Sequence, residues 1–212
     1  MRAIIKYARD NSARYLSHLD MQRAFARAFR RSGLPVAFSE GFNPHIQMSF
    51  ASPLSVGYAT QGDYLEVKLV REIPPTEIFL QLSAVMPPDI RIVSAGKLAD
   101  TAKKLMSLNA SASYELVFDR EIERETAWFM AAQSLVAVDA KKREVDVRAH
   151  VLDASAQGCV MTARIKNSSE QAMNPIVLAR VFEGAALKKI TRLECFAKTA
   201  EGEVPFSALY EH

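Results

Sequence analysis

One order of hydrophobic periods runs through the chain twice, and that order narrows the fold more than any other feature of the sequence. In the first pass "AIIKY" alternates, with Ala3, Ile5 and Tyr7 in phase, as a strand does. A helix is expected from Ser17 to Arg31, ended by Gly33 and Pro35. "IQMSFA" and "YLEVKLV" read as strands, the second with Leu65, Val67 and Leu69 inward and Tyr64, Glu66 and Lys68 outward. The proline-bounded "PPTEIFLQLSAVMPP" spaces Ile78, Phe79, Leu82, Val85 and Met86 as a helix, and "IRIVSA" follows as a strand. The order is β-α-β-β-α-β.

After the polar connector "GKLADTAKKLMSLNASA" the same order returns. "YELVF" is a strand with Tyr114, Leu116 and Phe118 in phase, and "EIERETAWFMAAQSL" is a helix. "EVDVRAHVL" and "GCVMTARIK" form an alternating strand pair around a turn near Ala156–Gly158. "NPIVLARVFEG" carries Asn174 as cap, Pro175 at the first helical position and Gly184 past the end, and "RLECFAK" closes as a strand. The expected fold is therefore α+β: two tandem ferredoxin-like units with antiparallel sheets, residues 1–95 and 112–205. The repeat is one of element order, with little residue identity.

Composition limits the function classes. With 49% hydrophobic and 24% charged residues in 212, the chain can bury one large core or two smaller ones. No apolar run approaches a membrane span, and "MRAIIKYARD" reads as a first strand and not as a signal peptide. Cys159 and Cys195 lie far apart, which suits a reducing cytoplasm and is too few for a cysteine-only metal or iron–sulfur site. No Walker loop, dinucleotide fingerprint, His-Glu-x-x-His or nucleophile elbow occurs, so neither metal ligands nor a resident cofactor are expected.

The net charge of +3 is unevenly placed. Residues 1–35 hold eight Lys/Arg against Asp10 and Asp20. On the expected first helix, Met21, Ala24, Phe25, Ala28 and Phe29 form an apolar stripe, and Arg23, Arg27, Arg30 and Arg31 lie opposite. Such a face can be solvated polar surface, a docking face for a protein, or an anion site. Arginine without an acid at i±4 favours the third, because its planar fork matches phosphate and carboxylate. Arg14, just ahead of the helix, joins this candidate nucleic-acid-binding set. Ser17 and Asp20 fit a capping box. His18, on the edge of the apolar stripe, is a weaker candidate for a catalytic acid or base. The segment "FSEGFNPHIQMSFASPLSVG" is long for a connection, and Ser39, Phe42, Asn43 and His45 are candidate contacts in it. That loop and the helix start belong at opposite ends of the helix, which argues against a shared His18–His45 site.

The run from Arg14 to Leu69 resembles the signature of the radical-SAM-linked domain of unknown function in its stand-alone form. The resemblance rests on Ser17–Asp20, Arg23–Arg31, Leu34–Pro35, Ser39–Pro44 and Pro53–Gly57 in that order. It is specific over about residues 1–70 and looser beyond. Members occur fused behind a radical S-adenosylmethionine enzyme or as separate chains. This sequence lacks the Cys-x-x-x-Cys-x-x-Cys cluster motif. The resemblance therefore implies an accessory protein whose partner would hold any iron–sulfur cluster and S-adenosylmethionine. The leading expectation is a non-catalytic module binding RNA or another polyanion beside a radical-SAM enzyme. The alternatives are a metal-independent RNA endonuclease of the CRISPR repeat-processing type, by fold analogy alone, and a protein–protein adaptor.

Overall fold

A computed structural model describes residues 1–210. Eleven strands occur in it: β1 (Arg2–Arg9), β2 (Met48–Phe50), β3 (Ala59–Lys68), β4 (Ile90–Leu98), β5 (Asn109–Phe118), β6 (Val136–Val138), β7 (Glu144–Asp146), β8 (Val151–Gln157), β9 (Val160–Lys166), β10 (Leu187–Thr199) and β11 (Gly202–Pro205). The helices are α1 (His18–Ser32), α2 (Pro75–Ser83), α3 (Leu105–Leu108), α4 (Glu123–Ala131), α5 (Val147–His150) and α6 (Pro175–Ala179). The protein is thus mixed α+β, with a mostly antiparallel sheet and few long helices.

Nine strands form one sheet along the path β4-β1-β3-β10-β5-β9-β8, with β2 on β3 and β11 on β10. All pairings are antiparallel except β3–β10, which is parallel through Ala59↔Thr191 and Thr60↔Arg192. The strands of the two passes therefore share one sheet, with the β3–β10 seam at its centre. Gly62 shows how tight that seam is, since a Cβ there would lie 2.4 Å from the Leu193 carbonyl oxygen.

The first long helix has local causes at both ends that the structure displays. The Ser17 side chain accepts the Asp20 N–H at 3.2 Å and starts α1, and Gly33 ends it in the left-handed region at φ 75°. Met21, Ala24, Phe25, Ala28 and Phe29 are buried, packing with Ile5, Leu65, Ile78 and Leu82 into one core. A second core gathers Leu116, Phe118, Phe129, Ile165 and Leu178. It continues under the first half, where Ile4, Tyr58 and Tyr64 belong to it.

Tyr64 is one correction to the sequence reading. It faces away from α1 as expected, yet it is fully buried because Phe206, in the 3₁₀ turn Phe206–Ala208, covers it with ring centroids 5.3 Å apart. "EVDVRAHVL" is a second correction. It is not one strand, since β7 ends at Asp146, whose side chain caps α5, and only then does β8 begin. The separate β6–β7 hairpin was not anticipated. No helix among the described residues is long and apolar enough to cross a membrane.

Candidate functional site

The arginine ridge stands on α1 because the opposite stripe of that helix is buried. Arg23, Arg27, Arg30 and Arg31 are all exposed. Arg27 and Arg30 have no hydrogen-bonding or ionic partner among the described residues. The other two are partly engaged. Arg23 Nη1 sits 3.3 Å from Asp20 Oδ1, an i,i+3 pair at the start of the helix. Arg31 Nη2 donates to the Val85 carbonyl at 2.5 Å, tying the end of α1 to the segment after α2. Asp20 also accepts from Ser17 Oγ at 2.7 Å, and that bond, with Arg23 beside it, holds its carboxyl below the usual range.

Arg14 does not stand on the ridge. It lies in the 3₁₀ segment Asn11–Tyr15, half-buried, with its guanidinium stacked on the exposed Tyr15 ring at 4.8 Å. Its carbonyl accepts the Gly57 N–H at 2.7 Å. The sequence set of five arginines therefore divides into a helix ridge of four and one residue at the seam.

The long connection folds into an irregular hairpin beside the end of β3. Val36 bridges Leu69, Phe38 bridges Ile46, and Gln47 N–H donates to the Ala37 carbonyl at 2.9 Å. Its turn is built by Ser39 and His45: Ser39 Oγ accepts the His45 N–H at 3.1 Å and lies 2.9 Å from His45 Nδ1. Gly41 takes φ 111°, open to glycine at little cost. The turn leaves Asn43 exposed and Phe42 projecting fully into solvent. His45 thus has a turn-building role, and Phe42 is the reachable group.

His18 is exposed at the first position of α1. Its ring meets Phe50 edge-on at 5.3 Å, and Nε2 lies 3.1 Å from the Gln22 amide nitrogen. Neither contact is a carboxylate or a nucleophile. No group of three His, Cys, Asp or Glu side chains gathers into a metal site among the described residues.

The sequence reading missed a polar cluster buried at the seam. Arg192 on β10 and Asp63 on β3 form an ion pair at 2.9 Å with side chains 3% and 2% exposed. Arg192 also donates to Tyr114 Oη at 3.2 Å and to the Pro53 carbonyl at 3.0 Å, and Tyr7 Oη donates to Asp63 at 3.4 Å. Arg9 donates to the carbonyls of Leu16, Leu54 and Ser55 at 3.2–3.3 Å. Residues 52–57 are thereby gripped from both halves: Asn167 bonds Ser52 Oγ at 3.0 Å, and Asn174 bonds Ser55 Oγ at 3.3 Å. Burial pushes the neighbouring Cys195 thiol up to about 12. No sequence signal marks Arg192 as buried, because its register opposite Tyr114 and its acceptors on β3 and in residues 52–53 are set by the pairing of distant strands.

The sequence model of one family, described as uncharacterised proteins conserved in bacteria (DUF2344), matches residues 2–175. The chain belongs to this family. The match runs from β1 to the first residue of α6, so it includes the arginine ridge, the hairpin and the Pro53–Gly57 segment, while Arg192 lies beyond it. No curated protein matches the chain.

Proposed function

We propose that this protein is a non-catalytic module that binds RNA or a similar polyanion along the ridge of α1. One observation carries the reading: Arg27 and Arg30 are exposed one helical row apart and nothing in the described molecule neutralises them. A guanidinium left free in this way suits forked contact with phosphate. Arg23 extends the row, since its exposed pair with Asp20 is weak and open to exchange for a ligand anion. Contacts of this kind go to backbone phosphates, so affinity should be broad in sequence and steep in salt.

The strand orders β4-β1-β3-β2 and β10-β5-β9-β8 support reading the molecule as two ferredoxin-like units, residues 1–95 and 112–205, joined edge to edge. Phe42 supports a second contact, with a protein partner, because a bare aromatic at a rigid turn fits a groove. The sequence resemblance makes a radical-SAM enzyme the first partner to test, in a reducing cytoplasm that two unpaired thiols suit.

Titration of mixed-sequence single-stranded RNA against salt tests the reading. Three phosphate contacts give a slope of log affinity against log salt of about −2. No binding at low salt, or binding with a flat salt response, contradicts it. Pull-down before and after nuclease treatment separates an RNA contact from a direct protein contact.

A further inference from the structure

A shallow recess lies where the segment leading into α1 meets the second half of the sheet. Arg14 and Tyr15 line it from the first half, and Lys188 and Lys189 at the start of β10 line it from the second. Tyr58 and Ile190, both buried, form its floor. Among the described residues no carboxylate lines it. Its cavity of about 170 Å³ is below the range of drug-sized sites and has the scale of one planar ring system.

The walls are held in place by contacts from both halves. The Arg14 carbonyl accepts the Gly57 N–H at 2.7 Å, which pins the 3₁₀ segment Asn11–Tyr15 beside Pro53–Gly57. Tyr58 Oη donates to Asn174 Oδ1 at 2.5 Å, tying the floor to the cap of α6. The Arg14 guanidinium lies 4.8 Å from the Tyr15 ring centroid and donates to Tyr15 Oη at 2.6 Å. Tyr15 is thus anchored, yet it remains 60% exposed. A ligand that stacks on it need not order the ring first.

The cations differ in what they have left to give. Lys189 is paired with Asp10 at 3.0 Å. The exposed Lys188 reaches Asp119 only at 4.0 Å, a loose contact that a phosphate can displace. An open aromatic face beside cations, over an apolar floor and without carboxylates, matches a flat ring joined to phosphate. The recess also adjoins the ridge in sequence. The segment carrying Tyr15 runs into α1 through Ser17, and Leu19, Arg23 and Arg27 then recur, all exposed, at i, i+4 and i+8.

We infer that this recess takes one unpaired base of the RNA bound along α1, stacked on Tyr15, with an adjoining phosphate toward Lys188. The inference rests on the RNA reading of the ridge and narrows its ligand to single strands, since a base inside a duplex is stacked on both faces and cannot enter.

The test is fluorescence anisotropy of the full chain at low salt with a labelled single-stranded RNA and with an abasic strand of the same length. The two strands carry equal phosphate charge and differ only in bases. The parent should bind the base-bearing strand about fivefold or more tightly than the abasic one. Tyr15→Ala should remove that gap and leave the abasic affinity unchanged, which also shows that the variant folds. Tyr15→Phe should keep the gap, and Lys188→Ala should weaken both strands alike. If the parent binds both strands equally, or if Tyr15→Ala preserves the gap, the recess holds no base while the ridge reading stands. If the parent binds neither strand at low salt, the ridge reading fails and this inference fails with it.

Discussion

Arg192 Nη1 stands 2.9 Å from Asp63 Oδ1, and this buried pair spans the only parallel pairing in the main sheet of the described residues. Both charges have left water, so each depends on the other and on the acceptors around Arg192. Removing one partner strands a buried charge and costs about 3–5 kcal/mol. Asp63→Ala and Arg192→Met should each lower stability by that amount in urea unfolding. The double variant should cost clearly less than the two together, because it strands no charge. Additive single effects below about 1 kcal/mol would show that the pair does not hold the seam.

Gly62 tests the same seam by steric means. A Cβ at this position meets backbone, the Leu193 carbonyl, at 2.4 Å, and backbone cannot swing aside as a side chain can. Gly62→Ala should destabilise by about 1–3 kcal/mol or more through overpacking. The usual small gain of a Gly→Ala change should not appear. A melting midpoint equal to or above that of the parent contradicts the close approach of β3 and β10.

Much of this architecture could be read from residues with strong local causes. Ser17 and Gly33 bounded α1, and Asn174, with its side chain accepting the Ile176 N–H at 3.1 Å, started α6 where the sequence put it. Failures came where a distant partner decides. Alternation correctly turned Tyr64 away from α1, but its burial depends on Phe206, more than a hundred residues later. Val145, Val147 and Val151 fit a strand period, yet Asp146 caps a helical turn between them, and a period-2 pattern cannot register a cap. Of the candidate site, the exposure of Arg27 and Arg30 followed from the helix alone. Arg14 left the ridge because a 3₁₀ turn and Gly57 fix its backbone, and Arg192 was invisible because its acceptors come from β3, β5 and the 52–53 carbonyls.

The two cysteines should behave differently toward thiol reagents. Cys195 is buried beside Asp63 and Glu194, and burial holds its thiol neutral up to a pKa of about 12. Cys159 is half-buried on the turn between β8 and β9. Iodoacetamide at neutral pH should label Cys159 alone in the native protein and both residues after unfolding, read by peptide mass. Native labelling of Cys195 at a comparable rate contradicts its burial.

Acid should destabilise the protein only below the ordinary carboxylate range. Hydrogen bonds from Lys189 to Asp10, from Ser17 to Asp20 and from Ser12 to Asp89 lower those three pKa values. A lowered folded-state value adds stability above the unfolded-state value of about 3.9 and loses it as pH falls through the lower one. Melting midpoints from these groups should therefore hold from neutral pH to about 5 and fall below about 4. A fall that begins near neutrality assigns acid sensitivity to other groups.

The most direct measurement is fluorescence anisotropy of a labelled single-stranded RNA with the parent protein and with the Arg27→Glu/Arg30→Glu double variant, at low and at physiological salt. Both positions are exposed on α1, so the variant should keep its fold and melting midpoint within about 0.5 kcal/mol of parent stability. The account predicts that affinity at low salt drops by at least tenfold, about 1.4 kcal/mol, and that the salt slope flattens. An unchanged affinity in the reversed-charge variant, or no RNA binding by the parent at low salt, would contradict it.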